Sequence, residues 1–215
     1  MNVRHIVITA LVLLLFAVLG TGLVAFTYDS TRGVIAANAR AKLLRDLNTL
    51  VPSDRYDNAL LNDTLGVRDP ALLGTQEPVT VYRARKNGQP VAAILAPIAP
   101  DGYSGDIKLL VAINADGTLA GVRVTAHRET PGLGDAIEAA RSDWILKFAG
   151  RSLADPDEKH WAVKKDGGVF DQFTGATITP RAVVKAVKKA LIYFQRHRQS
   201  VFAGAQPPTA EAASP

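Results

Sequence analysis

The first strong pattern along the chain is an unbroken apolar run. Ile6 to Phe26 is 21 residues without a charge, interrupted only by Thr9, Gly20, Thr21 and Gly22. A helix of that length, rising about 1.5 Å per residue, crosses a hydrocarbon core of about 30 Å. A cleaved leader is the competing reading, but its apolar core runs only about 7–15 residues before a small-x-small site. The nearest such site, Ala37-Asn38-Ala39, lies well downstream. The run is therefore read as a retained, single-pass anchor. Arg4 lies on one side and Arg32, Arg40 and Lys42 on the other, so the positive-inside comparison is ambiguous. The short N-terminal tail is expected to stay inside and the large following domain to lie outside.

Beyond the run the pattern changes. Asp29 to Val51 carries a partial helical stripe, with Val34, Ile35, Leu43, Leu44, Leu47, Leu50 and Val51 apolar, and Pro52 stops it. Ser53 to Pro78 has few periodic signals and reads mostly as loop. Val79–Arg85 alternates apolar and polar, as a half-wet strand does. Asn87-Gly88 is a hairpin turn, because both residues tolerate positive φ. Val91–Ile98 returns as a buried strand. Asp106–Ile113 and Leu119–Ala126 form a second pair across Asn114-Ala115-Asp116-Gly117. Leu133–Phe148 reads as a helix closed near Gly150, and Trp161–Lys164 as one more short strand. Thr179 is expected to cap a last helix with Pro180 in first place, running to about Arg198. Gln206–Pro215 is Pro/Ala-rich and expected to be disordered. The class predicted is α+β: one transmembrane helix (1–28), a juxtamembrane helix and connection (29–78), one antiparallel-sheet-plus-helices domain (79–199) and a tail (200–215).

Composition narrows the chemistry. The chain has 215 residues, with 25 Lys+Arg against 20 Asp+Glu, and no Cys. The lack of thiols excludes disulfides, thiolate metal sites and thiol catalysis. An excess of five positive charges is too thin to imply nucleic acid. His5, His127, His160 and His197 show no metal-ligand spacing. The basic run from Lys185 to Arg198 reads as the solvated face of an amphipathic helix.

Three stretches can carry chemistry. In Asp171-Gln-Phe-Thr174-Gly175-Ala176-Thr177-Ile-Thr179-Pro180, three threonines crowd a loop that feeds a helix start. Small residues let backbone amides approach a ligand, and free N–H groups with the positive dipole end suit a phosphate. A plain capping segment explains the same residues. The second stretch, His127 to Asp135, is either a rigid β-to-α turn or a loop presenting Thr130 and backbone to a flat ligand. His127 and Glu129 could act there as an acid–base pair, but no third, orienting group is evident. In Pro100–Asp106, Asp101 and Gly102 form a turn, and Tyr103 can pack beside a ring system.

These stretches, in this order behind an anchor, resemble the G subunit family of the Rnf electron transport complex. Its FMN-binding domain is shared with the C subunit of the sodium-pumping NADH:quinone oxidoreductase. The likeness runs through APDGYSGDIKLLVAI, HRETPGLGD, SDWILKFAG, HWAVKKDGG and DQFTGATITPRAVVKAV. The last is the most specific: it holds the family pattern of Asp, then Ser/Thr-Gly-Ala-Thr, without departure. The resemblance implies FMN joined through its phosphate to Thr177, with Thr174, Gly175 and Ala176 around it. It implies that Asp171 is read by a flavin transferase, and that Glu129, Thr130, Gly132 and Leu133 lie against the isoalloxazine. It further implies an electron-carrying role beside other subunits of a ferredoxin:NAD-type ion translocase, with the domain on the periplasmic face of a bacterial inner membrane. No catalytic residue and no metal are then required. The alternative is a non-catalytic anchored module for ligand binding or assembly.

Overall fold

The structure is a computed structural model that describes residues 3–204. It divides after Arg45 into two compact units. The first consists of the greater part of helix α1 (Val3–Leu50), whose apolar side chains from Ile6 to Phe26 are exposed. This is the one described helix long and apolar enough to cross a membrane, with a mean hydropathy of 2.7 over its most apolar window. The predicted apolar run and the helix after it are thus one continuous element.

The second unit is built on a six-stranded antiparallel sheet: β1 (Thr64–Val67), β2 (Val79–Lys86), β3 (Gln89–Leu95), β4 (Ile98–Ala99), β5 (Ile107–Asn114) and β6 (Leu119–Ala126). Strand β5 is central, pairing with β3 and β4 along one edge and with β6 along the other. Both predicted hairpins are present, and Asn87 has the positive φ its turn needs. Two short helical pieces complete the frame, a 3₁₀ turn at Ser53–Arg55 and α2 (Pro70–Leu73). The sheet unit therefore takes in residues upstream of Val79.

Register puts Val81, Leu95, Val111 and Val122 in one row across the sheet. Helix α3 (Ile178–Phe202) covers that face with Val183, Val187, Ala190, Leu191 and Phe194, all buried. Residues one place out of phase (Ile94, Ala112, Gly121) face the opposite way. Leu47, Leu50 and Val51 are buried on that side, and Leu50 lies directly over Gly121. Both faces are covered, so β5 reads as an almost continuous buried run.

Four expectations need correction. Ser53–Pro78 is not all loop: Thr64-Leu65-Gly66-Val67 gains its strand character by pairing residue for residue with Val79–Tyr82. The strand expected over Val91–Ile98 breaks at Ala96-Pro97 and resumes as β4. Leu133–Phe148 is not one helix but two 3₁₀ segments, Gly134–Ile137 and Asp143–Phe148. Extended Ser142 separates them, donating to the Ala136 carbonyl at 2.6 Å and accepting from the Trp144 N–H at 3.2 Å. Trp161–Lys164 is no strand; Val163 makes a single bridge to Phe170, and Lys164–Asp166 is a 3₁₀ turn. Burial in an aromatic cluster of Trp144, Phe148, Trp161 and Phe170 overrides the helical composition here.

The far end of α3 is tied to the sheet by ions. Arg83 and Arg85 share Asp63, at 2.5 Å and 2.9 Å, with all three side chains nearly buried. One further donor of each reaches a carbonyl at the helix end, Arg83 to Ala203 and Arg85 to Phe202, each at 3.0 Å. Cations thus meet the negative end of the helix dipole, and the helix runs on to Phe202. Of the tail expected over 200–215, residues 205–215 lie outside the described residues. Replacing Asp63 with Ala leaves two buried guanidinium groups without their shared anion, so about 3 kcal/mol of stability should be lost. Urea unfolding followed at the two tryptophans measures this, and a loss below about 1 kcal/mol would contradict it.

Candidate functional site

The loop before α3 is shaped by its aromatic and its glycine. Phe173 packs edge-on against Trp144, ring centroids 5.2 Å apart. The Trp144 indole N–H donates to the Asp171 carbonyl at 2.7 Å, so this one side chain pins both residues. The chain then turns through Thr174-Gly175, closed by the Ala176 N–H on the Phe173 carbonyl at 3.2 Å. Gly175 has φ +82, a conformation L side chains rarely adopt.

Helix α3 begins at Ile178, two residues earlier than expected. Thr177, not Thr179, holds the cap position, with Pro180 in third place rather than first. Thr177 caps nothing with its side chain. Its φ of −78° and ψ of −28° are helical, whereas a capping side chain needs extended backbone. One of the two amides a cap usually serves is also missing, because Pro180 has none. The first turn of α3 is therefore left without a side-chain cap.

The three sequence stretches meet at this helix start. They line a cleft of about 340 Å³ formed by Tyr103, Glu129, Thr130, Leu133, Gly134 and the segment Gly175–Thr179. Tyr103, Leu133 and Ile178 are 69%, 43% and 44% exposed, giving the cleft an apolar rim. Thr174 is exposed on the turn, and Gly132 (φ +78) lies in the adjoining loop; neither lines the cleft. Thr177 is half-buried and does. Tyr103, read from the sequence as able to pack beside a ring system, lines it, and so do Gly134, Ile178 and Thr179, which were not singled out as binding residues. The signal for Tyr103 was an aromatic ring in a glycine turn; the other three had none.

Glu129 is 4% exposed. Its carboxylate accepts the Ser104 N–H at 2.9 Å and, on the other oxygen, the Thr179 hydroxyl. The acid–base pair with His127 does not exist. His127 Nδ1 accepts the Glu129 backbone N–H at 3.0 Å, so Nε2 carries the proton and donates to Glu138 at 2.6 Å. Both ring nitrogens are occupied by neighbours, and the Glu129 carboxylate points to other partners. Among the described residues, no group of three or more His, Asp or Glu is placed to hold a metal ion.

Asp171 stands outside the cleft. Lys147 at 2.8 Å and Lys164 at 2.5 Å bracket its carboxylate and hold its pKa down to about 2. On the helix side, Arg181 in the first turn of α3 grips Asp166 with two bonds, 2.6 and 2.8 Å. Lys185 pairs with Asp101 and Lys188 with Glu158, so part of the expected solvated basic face is engaged.

A cleft with an apolar rim, small residues at its back and an uncapped helix start suits a flat ring that ends in a phosphate. Comparison with known families agrees: residues 102–192 match the FMN-binding domain, and residues 1–50 match the RnfG N-terminal region. A protein of Pseudoalteromonas atlantica, named as the G subunit of an ion-translocating oxidoreductase complex, is 49% identical over 192 residues, 89% of each chain. Its namesake in Pseudomonas aeruginosa is 52% identical over 200 residues, 93% of this chain and 94% of its own. The Shewanella oneidensis protein of that name is 49% identical over 202 residues, 94% of each. The domain is thus of the FMN-binding class. The chain as a whole belongs to the family of G subunits of ion-translocating oxidoreductase complexes.

The Asp171 cluster carries a pH signature. A depressed carboxylate pKa stabilises the fold above the ordinary Asp value, near 3.8, and that contribution disappears as pH falls toward about 2. The carboxylate is 40% exposed, so solvent and salt limit it to about 1 kcal/mol or less. Asp171→Asn should therefore lower the melting temperature at pH 7. Its difference from wild type should shrink between pH 4 and pH 2.5, and a difference that widens on acidification would exclude this origin.

Proposed function

We propose that this chain is the membrane-anchored flavin subunit of an ion-translocating, ferredoxin:NAD-type oxidoreductase complex. It carries FMN as a phosphoester on the Thr177 Oγ. The domain faces the periplasm of a bacterial inner membrane, with the N-terminus in the cytoplasm. Its partners are the other subunits of the complex and, during maturation, a flavin transferase. The observation that carries this reading is the convergence of the Thr174–Thr177 turn and the Glu129–Leu133 loop on the uncapped start of α3. The kinship with G subunits of ion-translocating oxidoreductase complexes supports the complex, and the matched domain supports the cofactor.

When bound, FMN supplies one- and two-electron redox chemistry at its ring. The chain's residues hold and shield it. The first-turn amides of α3 and the helix dipole stabilise a phosphate beside Thr177. Gly175 and Ala176 leave room for the backbone to approach that phosphate. Tyr103, Leu133, Ile178 and the Thr130 backbone offer the faces on which a flat ring lies. In attachment, the Thr177 oxygen would bond to the flavin-side phosphorus of a flavin dinucleotide donor as the phosphoanhydride P–O bond breaks, and the nucleoside monophosphate would leave with the hydroxyl proton taken up in its place. A covalent link suits a carrier outside the cytoplasm, where a dissociated flavin would be lost to dilution.

The test is co-expression with a flavin transferase, followed by intact-mass measurement and peptide mapping. The wild-type chain should gain one FMN less one water on the peptide that holds Thr177. Thr177→Ala should gain nothing while its melting temperature stays within a few degrees, because that hydroxyl makes no capping bond. Thr174→Ala, altered on the exposed turn, should still be modified. A Thr177→Ala chain that still carried covalent FMN would refute the assignment. An unmodified wild-type chain beside an active transferase would favour an anchored module of another kind.

A further inference from the structure

Glu129 is an awkward residue for an apolar cleft. Burying a carboxylate is costly unless it is fully partnered. Its two partners are neutral donors, the Ser104 amide and the Thr179 hydroxyl, rather than a lysine or arginine. Those donors belong to two different walls of the cleft, and Glu129 itself belongs to the third. The backbone also closes on it from both sides. A Cβ at Gly134 would lie 2.8 Å from the Glu129 Cβ and 3.0 Å from both its Oε2 and the Thr179 Oγ. A Cβ at Gly102 would lie 3.0 Å from its Oε1. The two glycines leave the volume that this carboxylate fills.

Thr179 is 1% exposed at the second position of α3. Its hydroxyl is directed inward to Glu129 and makes no bond at the helix start.

We propose that Glu129 is a positioning residue for flavin attachment. Its carboxylate ties Ser104 and Thr179 together across the cleft, so that the Thr177 hydroxyl and the open amides of α3 face the phosphate. This rests on the covalent-FMN reading above, and it replaces direct contact with the ring as the role of the Glu129 side chain. The carboxylate has a second consequence. A buried negative charge without a cationic partner opposes electrons added beside it. Removing the charge while keeping the side chain's shape should make the flavin easier to reduce.

The test uses the full chain co-expressed with transferase, in five forms: wild type, Glu129→Ala, Glu129→Gln, Thr179→Val and Thr179→Ser. The rate of FMN attachment is followed by intact mass, and the midpoint potential of each loaded protein is measured. Thr179→Val is nearly isosteric and should fold even if Glu129→Ala does not. Attachment should slow at least about tenfold in Thr179→Val and in Glu129→Ala, since small misplacements of a reacting group cost that much or more. Thr179→Ser keeps the hydroxyl and should load at close to the wild-type rate with an unchanged potential. Glu129→Gln can still accept from Ser104 and bond Thr179, so it should also load, with a potential more positive than wild type. Wild-type attachment rates in Thr179→Val would overturn the proposal, as would a Glu129→Gln potential equal to or below that of wild type. A wild-type chain that gains no flavin would instead fail the covalent reading itself, and this proposal with it.

Discussion

Everything at the site depends on where α3 begins, and that is settled by how the rest of α3 is buried. The helix lies over one face of the sheet with Val183, Val187, Ala190, Leu191 and Phe194 all inaccessible to water. Close packing of that kind leaves little freedom to slide or rotate. Its C-terminal carbonyls are held by two arginines that share one aspartate on the sheet. A helix fixed along its length and at its far end has a fixed near end. The cleft is then made by what is brought up to it: a glycine turn from Phe173 to Ala176, a loop from Glu129 to Gly134, and the Tyr103 turn.

The two ends of α3 are treated in opposite ways. At the C-terminus the backbone carbonyls are satisfied by buried cations. At the N-terminus the amides have no side-chain cap, although three threonines lie within six residues. Each fails to cap for a separate reason: Thr174 is on the preceding turn, Thr177 has helical backbone angles, and the hydroxyl of Thr179 is taken by Glu129. An uncapped helix start at the surface costs about 1 kcal/mol relative to a capped one. A phosphate placed there recovers that and adds the dipole term. The geometry is what an anion-binding helix start requires, and it makes sense of why so threonine-rich a segment leaves its helix open.

Much of the sheet was legible because its strands are self-declaring. β2 alternates, β5 is apolar from Leu109 to Ile113, and Asn87-Gly88 and Asp116-Gly117 mark their turns. β1 was not legible, since Thr64–Val67 has one glycine and two apolar residues, and acquires its conformation from β2. The segment from Leu133 to Phe148 misled because alanine, leucine and isoleucine at helical spacing cannot report that Trp144 and Phe148 are required in an aromatic cluster. At the site, the residue types were legible but their partners were not. Thr177 and the glycine turn stand out in the sequence. Nothing in it says that Thr179 bonds a glutamate fifty residues away, or that Lys147 and Lys164 converge on Asp171.

That last convergence bears on how the loop before α3 is held. The Asp171 carboxylate is engaged by two exposed lysines, and pairs of this kind contribute little to stability. The stronger constraint is beside it: the buried Trp144 indole bonds the Asp171 carbonyl and packs on Phe173. The backbone of the loop is therefore fixed by an aromatic residue from the 3₁₀ segment Asp143–Phe148, while the Asp171 side chain stays at the surface, ionised and 40% exposed. A carboxylate so placed can be approached from solvent once its lysines swing away, at small energetic cost. The Asp171 side chain can therefore change partners without disturbing the turn that leads to Thr177 six residues on.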